Sequence, residues 1–486
     1  MIPLLDQDAI LRAKANTKKP ETMEEQGLRV RYHVENPLKG GRAQRFLEAF
    51  AAILKHSSYG LILEQYVRTS LKCARCAVSC MLYEATGDPK DVPCYRSAFL
   101  IETYRRHFTL AGSLKAKLFG DPGLTDETIE EMADSFYNCT ACRKCVLECP
   151  AGIDHGLLTH LGRYILSEIG ITPRALVVSV REQVQGKTRN TSAIPIPAMI
   201  DSCEFLEEEI EEAKGAKVKF PIDQEGAEHL FFAPVSDYMM EADTLCGIAA
   251  VLHQIGASWT IGTKNFDGIN YGLFYSDIIM DRVLNEIPKE VKRLKTKKVL
   301  IGECGHASRT AKVFLKTFCE EGESPPVVSI IELTHAALKA GKLKLDPNVV
   351  TDRVVYHDPC NMARKGWIID QPREILRAFC KDYVEMTPNG RENYCCGGGG
   401  GTVSIDELRP YRTSIAGKKK AEQLQETGAK LVVAPCANCK KQLREVVDDN
   451  GLDCEIVGLH DLIFRAIILQ ENDSPEKTPE STIPNE

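Results

Sequence analysis

The cysteine arrangement in the C-terminal part of the chain constrains its fold and chemistry more than any other feature. Two adjacent cysteines, Cys395 and Cys396, are followed by a run of five glycines. Cys360 lies upstream of the pair, and Cys436 and Cys439 form a CxxC motif downstream. One structural zinc ion takes four ligands, whereas five thiols suit a polynuclear iron–sulfur site. We therefore predict that these five cysteines, called the CCG cysteines below, hold a polynuclear metal centre.

The glycine run beside the pair has no side chains to pack, so its backbone can approach another group closely. Next to a metal centre, the expected neighbour is the cofactor itself. This interpretation makes Gly397, Gly398 and Gly399 candidate cofactor-binding residues.

The composition supports a metal-binding globular protein. The chain has 486 residues, enough for two or three domains, and most of its 19 cysteines lie in short clusters. Secreted disulfide-rich proteins are usually small, and a net charge of −7 gives no support for nucleic-acid binding. No apolar run approaches the ~18 residues of a membrane span, and the start of the chain lacks signal-peptide features. We therefore expect a cytoplasmic protein that can still dock onto a membrane subunit.

A second motif, CxxCxxCxxxCP, begins at Cys139. It is the bacterial [4Fe–4S] signature, in which three cysteines ligate one cluster and the fourth ligates the neighbouring cluster. The three predicted ligands of one cluster are Cys139, Cys142 and Cys145, and Cys149 is assigned to the neighbour.

The neighbouring cluster is predicted from an irregular motif, SxxCxxCxxxC, at residues 70–80. By the same crossed rule, Cys80 completes the set of the regular motif. Cys149 then joins Cys73 and Cys76, which leaves that set one ligand short.

The missing ligand has more than one candidate. Cys94 is close enough in sequence to supply it and is the favoured choice. The oxygen of Ser70, which stands at the first cysteine position of the motif, or an open iron are the competing options.

The C-terminal half repeats a pattern of short β-rich runs, each followed by a helical pattern. Residues 231–235 parallel 356–360, 298–304 parallel 431–436, and 330–335 parallel 456–460. Such βα repeats form parallel sheets with site residues at the carboxyl ends of strands. The predicted fold class is therefore α + α/β, a helical two-cluster ferredoxin module followed by a duplicated α/β unit.

The two repeats differ in their cysteines. Val235 stands in the place of Cys360 and Ala307 in the place of Cys439, while Cys304 is retained. The first repeat therefore lacks the ligands for its own metal centre. Cys304 is a candidate extra ligand or redox-active thiol that faces the site, with a buried structural role as the alternative.

Composition shifts divide the chain into segments that serve different roles. The predicted segments are an N-terminal extension with a docking helix (1–60), a helical ferredoxin module (61–182), a linker with a solvated helix (183–227), a degenerate repeat (228–345), an intact repeat (346–470) and a disordered tail (471–486). His306 is interpreted as a structural histidine rather than a proton donor. The isolated cysteines are interpreted as inert core residues; they are Cys203, Cys246, Cys319, Cys380 and Cys454.

Together these motifs resemble the heterodisulfide-reductase-like iron–sulfur proteins, in which a two-cluster ferredoxin module precedes CCG domains. The most specific features of the resemblance are the CCG cysteines and the run Gly302-Glu303-Cys304-Gly305-His306-Ala307. The resemblance implies two cubane [4Fe–4S] clusters and one noncubane [4Fe–4S] cluster, the last held by the CCG cysteines. It also implies that disulfide chemistry occurs at these cysteines.

The resemblance further implies a catalytic thiol–disulfide oxidoreductase subunit of a membrane-associated redox complex. Its expected partners are an integral membrane b-type haem or quinone subunit, other complex subunits, and a small DsrC-like cysteine-bearing protein or thiol substrate that carries a disulfide or trisulfide. Splitting a disulfide needs two electrons, and an iron centre can stabilise the leaving thiolate while they arrive one at a time.

Two alternatives remain open from the sequence. The chain could be a pure electron-transfer subunit, similar to the iron–sulfur subunits of glycolate or lactate oxidases. A structural zinc protein is the third possibility, and an iron count of about twelve per chain, from three [4Fe–4S] clusters, would exclude it.

Overall fold

The computed structural model describes residues 40–120, 123–319 and 322–469. Most of the predicted N-terminal extension and the predicted disordered tail lie outside these ranges. Within them, no helix combines the length and apolar character that a membrane span requires.

The N-terminal half is helical. Its α-helices are α1 (Arg42–His56), α2 (Tyr59–Thr69), α3 (Met81–Thr86), α4 (Pro93–Phe108), α5 (Leu110–Phe119), α6 (Asp126–Asn138), α7 (Lys144–Leu147), α8 (His155–Glu168), α9 (Arg174–Gln185) and α10 (Ile196–Lys214). The cysteine motifs of the ferredoxin module lie on the short helices and loops between them.

Helix α1, from the predicted N-terminal extension, packs against the ferredoxin module, and the predicted boundary at residue 60 stays a prediction. Phe46, Phe50 and Ile53 follow helical spacing and are fully buried. They share one hydrophobic core with Leu161 and Ile165 of α8. Burial of this apolar stripe explains why the helix is held against the module.

Helix α10 differs from its prediction as a solvated helix in a linker. Its acidic side is exposed as expected, but Met199, Cys203, Leu206 and Ile210 are buried on the opposite side. These four residues belong to the core of the repeats. The acidic run forms only one face of this amphipathic helix, and its apolar face determines where the helix packs.

The C-terminal half contains two four-stranded parallel sheets, which confirms the predicted fold class. The strands are β1 (His229–Phe232), β2 (Trp259–Ile261), β3 (Lys298–Ile301), β4 (Val327–Ser329), β5 (Arg353–Tyr356), β6 (Asp382–Val384), β7 (Leu431–Val433) and β8 (Glu455–Val457). The two sheets have the same order, β2-β1-β3-β4 and β6-β5-β7-β8. All their pairings are parallel.

Helices connect and flank these strands. They are α11 (Asp237–Met240), α12 (Ala242–Gln254), α13 (Gly272–Tyr275), α14 (Asp277–Leu284), α15 (Glu286–Leu294), α16 (Gly305–Arg309), α17 (Leu315–Phe318), α18 (Ile330–Lys339), α19 (Asp370–Phe379), α20 (Arg409–Ser414), α21 (Lys418–Thr427), α22 (Ala437–Asn450) and α23 (Leu459–Ala466). The fourth strand of the first repeat lies three residues earlier than the sequence comparison placed it. Ser329 caps α18 through its hydroxyl, so Ile330 begins a helix instead of a strand.

The two repeats pack against each other over a common core. Leu245 and Val251 of α12 share this core with Leu459 and Leu462 of α23. A buried carboxylate, Glu303, adds a polar link across the same interface: its oxygens accept hydrogen bonds from the backbone N–H groups of two α23 residues, at 2.6 and 3.1 Å. Because Glu303 directly precedes Cys304, this link holds the end of β3 against the intact repeat.

Candidate metal centres

The five CCG cysteines lie together at the carboxyl ends of the strands of the intact repeat. The Sγ atoms of Cys396 and Cys439 are 3.5 Å apart. Cys395 contacts both Cys360 and Cys396, and Cys436 contacts Cys439. Four of the five are buried, and Cys360 is partly exposed. The structure thus forms a compact group of thiols with one member near solvent.

Cys304 of the degenerate repeat joins this group. Its side chain is fully buried and contacts Cys436, the residue at the equivalent position of the intact repeat. Each of these cysteines comes three residues after the end of its strand, β3 or β7, and precedes a helix. The Cys304 sulfur accepts a hydrogen bond from the Ala307 N–H group at 3.3 Å. The predicted placement of Cys304 at the site therefore agrees with the geometry, while its chemical role stays a prediction.

His306 has the structural environment that the sequence favoured. Its Nε2 atom lies 2.7 Å from the Asn270 carbonyl oxygen, and its ring packs on Phe274 with centroids 4.5 Å apart. Burial lowers the pKa of His306 to about 4, so the ring is neutral at physiological pH.

His357 is a site residue that the sequence reasoning missed. A ring nitrogen of His357 and the sulfurs of Cys396 and Cys439 all lie within 4.8 Å of one another. Its Nδ1 atom is 3.3 Å from the amide nitrogen of Asn393. The signal was available, because His357 follows β5 and lies three residues before Cys360.

Lys420 forms the next layer behind this histidine. Its Nζ atom donates a hydrogen bond to Asn393 Oδ1 at 2.7 Å and to Gln423 Oε1 at 2.5 Å. Burial lowers the pKa of Lys420 to about 7, and the nearby carboxylate and thiols oppose that shift. No feature of the sequence marks Lys420 among the other lysines of α21.

Two further thiol sets line two separate cavities of the ferredoxin module. The first set, here the proximal set, is Cys80, Cys139, Cys142 and Cys145. The second set, here the distal set, is Cys73, Cys76, Cys94 and Cys149. Each set combines cysteines from both motifs, as the crossed rule predicts.

Cys94 is well placed to complete the distal set. Its thiol contacts that of Cys76, whereas Ser70 only lines the same cavity. Cys94 lies in the first turn of α4, where proline at the first position starts the helix. The geometry favours the cysteine over the serine as the fourth ligand, in line with the sequence preference.

The backbone of the two motifs is alike despite the missing cysteine. Lys72 and Ala74, on either side of Cys73, adopt the left-handed conformation. Ala141 and Arg143, on either side of Cys142, adopt it as well. Such residues carry strain of about 1–3 kcal/mol each and recur at functional sites. The matching strain indicates that both loops wrap around a similar object.

The donor sets fit iron–sulfur clusters by their chemistry. Each ferredoxin cavity is lined by four cysteines, which is the ligand number of a [4Fe–4S] cubane. Burial raises the pKa of Cys80 to about 11 and raises the pKa of Cys145 well above its ordinary value. A bound metal cation would supply the positive charge that lets such buried thiols ionise and act as ligands.

The proximal set lies directly beside the CCG cysteines. The Cys142 thiol contacts the Cys395 thiol. The Arg364 Nη1 atom donates a hydrogen bond to the Cys142 carbonyl oxygen at 2.9 Å, and its other nitrogens bind carbonyl oxygens of the intact repeat. Lys144 Nζ lies 3.8 Å from the centre of the Tyr394 ring. The two centres are therefore neighbours, held by several independent contacts.

The glycine run packs against the same ferredoxin loop. A Cβ atom added at Gly399 would lie 2.2 Å from the Thr140 carbonyl oxygen, which is too close for any side chain. The buried Arg163 donates hydrogen bonds to the carbonyl oxygens of Gly400 and Cys139, at 2.8 and 2.7 Å. Protein backbone thus accounts for the missing side chain at Gly399.

Nearer the thiol pair, the Gly397 N–H group donates a hydrogen bond to the Cys395 sulfur at 3.4 Å. Gly398 likewise bonds the Cys396 sulfur. The cofactor-binding role of Gly397, Gly398 and Gly399 stays a prediction, and these two N–H groups are the features that would serve it.

Three of the isolated cysteines lie in the hydrophobic core, in keeping with their interpretation as inert residues. Cys203, Cys246 and Cys380 are buried, and burial raises the pKa of each to about 12. Cys319 and Cys454 are partly exposed.

Comparisons with known proteins match both halves of the chain. Residues 71–153 match the 4Fe-4S dicluster domain family, and residues 354–444 match the cysteine-rich (CCG) domain family. The chain is 27% identical to the Hdr-like menaquinol oxidoreductase iron-sulfur subunit of Archaeoglobus profundus, an alignment that covers 87% of this chain and 83% of the relative. An iron-sulfur subunit 2 of the same name from Archaeoglobus fulgidus is also 27% identical, with the same coverage.

A third relative comes from a methanogen. It is a subunit of the dihydromethanophenazine:CoB–CoM heterodisulfide reductase of Methanosarcina barkeri, 23% identical over 82% of this chain and 93% of its own length. The chain thus matches a 4Fe-4S dicluster domain and a CCG domain, and over most of its length it is similar to heterodisulfide-reductase-like iron–sulfur subunits.

Proposed function

We propose that this protein is the catalytic iron–sulfur subunit of a membrane-associated redox complex and acts on the disulfide or trisulfide of a thiol substrate. The relatives named as subunits of a menaquinol oxidoreductase and of a heterodisulfide reductase support an iron–sulfur redox subunit. The specific thiol–disulfide activity is our extension of that likeness.

The contact between Cys142 and Cys395 carries the proposal. It orders the three thiol sets along one path, with the distal set at one end and the CCG cysteines at the other. Cys73 of the distal set is exposed, with Leu71 and Val78 beside it at 71% and 68% exposure. An electron donor can therefore approach the distal set, while the proximal set leads to the CCG cysteines.

Two cubane [4Fe–4S] clusters and a noncubane [4Fe–4S] cluster, when bound, would supply one-electron transfer and Lewis-acidic iron at the CCG cysteines. The residues of the chain supply the surroundings. Arg163 and Arg364 hold the two loops together through buried hydrogen bonds to backbone carbonyls. Arginine suits this task because its planar guanidinium bonds several oxygens at fixed angles.

The environment of the CCG cysteines favours chemistry over simple electron relay. Of the five CCG cysteines, Cys360 is the one residue that is partly exposed, and the other four are buried. Reduction of a disulfide to two thiols consumes two electrons and two protons, so the site also needs polar groups. His357, Asn393 and Lys420 form a hydrogen-bonded row that ends beside Cys396 and Cys439.

The likeness to relatives named as menaquinol oxidoreductase subunits supports a membrane attachment of this protein. We propose a peripheral position on the cytoplasmic side of the membrane, held through a b-type haem or quinone subunit and other complex subunits. The physiological oxidant or reductant at the other end is proposed to be a small cysteine-bearing protein or a small thiol.

Electron paramagnetic resonance tests the catalytic assignment. Oxidised wild-type holoprotein treated with mercaptoacetate should show a new signal that belongs to the CCG cysteines. Cys395→Ala should abolish this signal and remove about four of about twelve irons per chain, while both ferredoxin-cluster signals persist. Cys380→Ala, a change at a buried cysteine outside the three sets, serves as the matched control and should behave as wild type.

Two outcomes would contradict the proposal. If no thiol produces a signal in the wild type, the CCG cysteines are not a site of thiol chemistry. If Cys395→Ala reduces a disulfide as fast as wild type, the protein is an electron relay of the glycolate- or lactate-oxidase kind.

A further inference from the structure

Helix α5 of the ferredoxin module is exposed along its whole length. None of its ten residues is buried, although helices of globular proteins normally bury one apolar side. Leu110, Leu114 and Leu118 follow one another at intervals of four residues and are 93%, 61% and 72% exposed. The three leucines therefore form one apolar stripe on the outer side of the helix, called the leucine stripe below.

The opposite side of α5 packs closely on the preceding helix, α4. A Cβ atom added at Gly112 would lie 1.9 Å from the Arg105 carbonyl oxygen, so glycine allows the close approach of the two helices. The Thr109 hydroxyl group accepts a hydrogen bond from the Gly112 N–H group at 3.2 Å and caps the start of α5. The leucine stripe is thus held in one orientation, on the side of α5 that faces away from α4.

The charges around the leucine stripe are basic, although the whole chain has a net charge of −7. Helix α5 contains Lys115 and Lys117, both exposed, and no acidic residue. Helical geometry places one lysine on either side of the stripe. The surrounding segment, residues 103–120, has four lysines and arginines and no aspartate or glutamate. Leucines flanked by lysines are typical of a helix that lies in the surface of a bilayer with anionic lipids.

Helix α5 lies beside the exposed end of the distal set. Glu102 of α4 pairs with Lys72, the residue before Cys73, at 2.5 Å. The same glutamate lines a cavity together with residues of α5. Leu71, on the other side of Lys72, is 71% exposed and adds a further apolar group to this surface. A bilayer that meets α5 would therefore also approach the distal set.

We propose that α5 is a peripheral membrane contact, whose leucine stripe inserts at the surface of a bilayer that contains anionic lipids. A bilayer suits the helix because its lysines can reach anionic headgroups at the depth where the leucines reach acyl chains. The inference rests on the proposed membrane attachment and adds a direct lipid contact to the contacts with complex subunits. It turns the distal set toward the membrane, where the haem or quinone subunit is proposed to lie.

Sedimentation with lipid vesicles tests this contact on wild-type holoprotein. One vesicle preparation contains phosphatidylcholine only, and the other contains the anionic lipid phosphatidylglycerol in addition. At low salt we expect the partition coefficient for the anionic vesicles to be about tenfold higher than for the neutral ones. High salt should reduce this difference, because it screens the attraction between the lysines and the headgroups.

Two double variants of α5 separate the apolar part of the contact from the electrostatic part. Leu114→Gln with Leu118→Gln should lower the partition coefficient for anionic vesicles at least about tenfold, because the leucine side chains no longer enter the bilayer. Lys115→Gln with Lys117→Gln should lower it about tenfold for anionic vesicles and less than about twofold for neutral ones. All four positions are exposed, so both variants should keep the wild-type iron content and thiol-dependent signal.

Matched controls remove the same kinds of group from another part of the surface. Met240→Gln removes an apolar side chain that is 73% exposed, at the end of α11. Lys342→Gln with Lys344→Gln removes two exposed lysines that have the same spacing as those of α5. Both controls should bind anionic vesicles as strongly as wild type.

The lipid contact is overturned if wild type binds neither kind of vesicle, or if the α5 variants bind as strongly as wild type. It is also overturned if the leucine variant separates a wild-type dimer, since the stripe is then an interface between copies. A leucine variant that loses binding only to vesicles with the integral membrane subunit would show a protein contact instead of a lipid contact.

The proposed function fails by different results. If the protein is absent from native membranes or gives no thiol-dependent signal, the assignment to a membrane-associated redox complex is wrong, whatever the vesicles show. If wild type is present in native membranes and gives the signal but binds no vesicles, the proposed function stands and the lipid contact alone is overturned.

Discussion

The two repeats have sheets with the same strand order, but different residues follow the equivalent strands. In the intact repeat, the segments after β5, β6 and β7 carry the CCG cysteines, with Cys439 in the first turn of α22. In the degenerate repeat, Val235 and Ala307 occupy cysteine positions, and the loop after β2 has no cysteine. The intact repeat thus has a predicted ligand set of its own, whereas the degenerate repeat contributes only Cys304 to that group of thiols.

A buried carboxylate stabilises the corresponding loop of the degenerate repeat. Asp267 lies in the loop after β2, and β2 has the same position in its sheet as β6, the strand that precedes the Cys395-Cys396 pair. It accepts hydrogen bonds from the N–H groups of Thr191, Ile269 and Val235 at 2.9, 2.9 and 3.3 Å. We therefore predict that a hydrogen-bonded carboxylate stabilises this loop of the degenerate repeat, as a metal centre would stabilise the loop after β6.

Equivalent cysteines provide the sharpest test of this comparison. Cys436→Ala should remove about four of about twelve irons per chain, because it takes a predicted ligand from the CCG cysteines. Cys304→Ala should keep the iron content within about one atom and change the shape or midpoint of the thiol-dependent signal. Metal analysis and paramagnetic resonance measure both effects. Equal iron loss in the two variants would show that Cys304 is a ligand as essential as Cys436.

Loss of the Asp267 carboxylate should lower the local stability of the degenerate repeat and leave the metal content unchanged. Asp267→Ala leaves three backbone N–H groups without their acceptor, which should cost about 3 kcal/mol of local stability. Hydrogen exchange of residues 264–270, followed by mass spectrometry, measures the loss. Asp453→Ala removes a carboxylate whose side chain is 92% exposed, and it should leave the exchange of these residues unchanged. If Asp267→Ala loses iron but keeps its protection from hydrogen exchange, Asp267 does not serve the stability of its loop and this comparison of the repeats is wrong.

A glycine of the intact repeat should matter more for electron transfer than a glycine of the degenerate repeat. Gly399→Ala would place a Cβ atom 2.2 Å from the Thr140 carbonyl oxygen and force the intact repeat away from the ferredoxin module. We expect about tenfold slower reduction of the CCG centre, since small displacements of reacting partners are costly. Gly268→Ala in the degenerate repeat meets only the Ala307 side chain closely, at 3.1 Å. This control variant should leave the rate of reduction unchanged, and rapid-mixing spectroscopy measures the rate in both variants. If Gly399→Ala is reduced as fast as wild type, the glycine run is not needed for electron transfer.

Much of the fold was predictable because its signals are local. The period of the apolar runs and the repeated strand patterns predicted two parallel sheets after a helical module, and both are present. The wrong predictions concern segments whose sequence pattern is compatible with two different structures. An acidic helix can be free or packed on its apolar side, as α10 is, and a run such as Ile330-Ile331 can be strand or buried helix.

By itself, the sequence predicted most members of the thiol sets and left the fourth ligand of the distal set open between Cys94, Ser70 and an open iron. Cysteine spacing predicted the crossed ferredoxin motifs and the CCG cysteines, since ligands that converge on one object must be a few residues apart or at equivalent strand ends. Tertiary structure alone decided how those sets relate. The contacts Cys142–Cys395 and Cys304–Cys436, and the position of Lys420 behind His357, join residues far apart in the chain. Such contacts depend on how whole helices and strands pack against one another. Local sequence patterns predict the individual elements but not this packing.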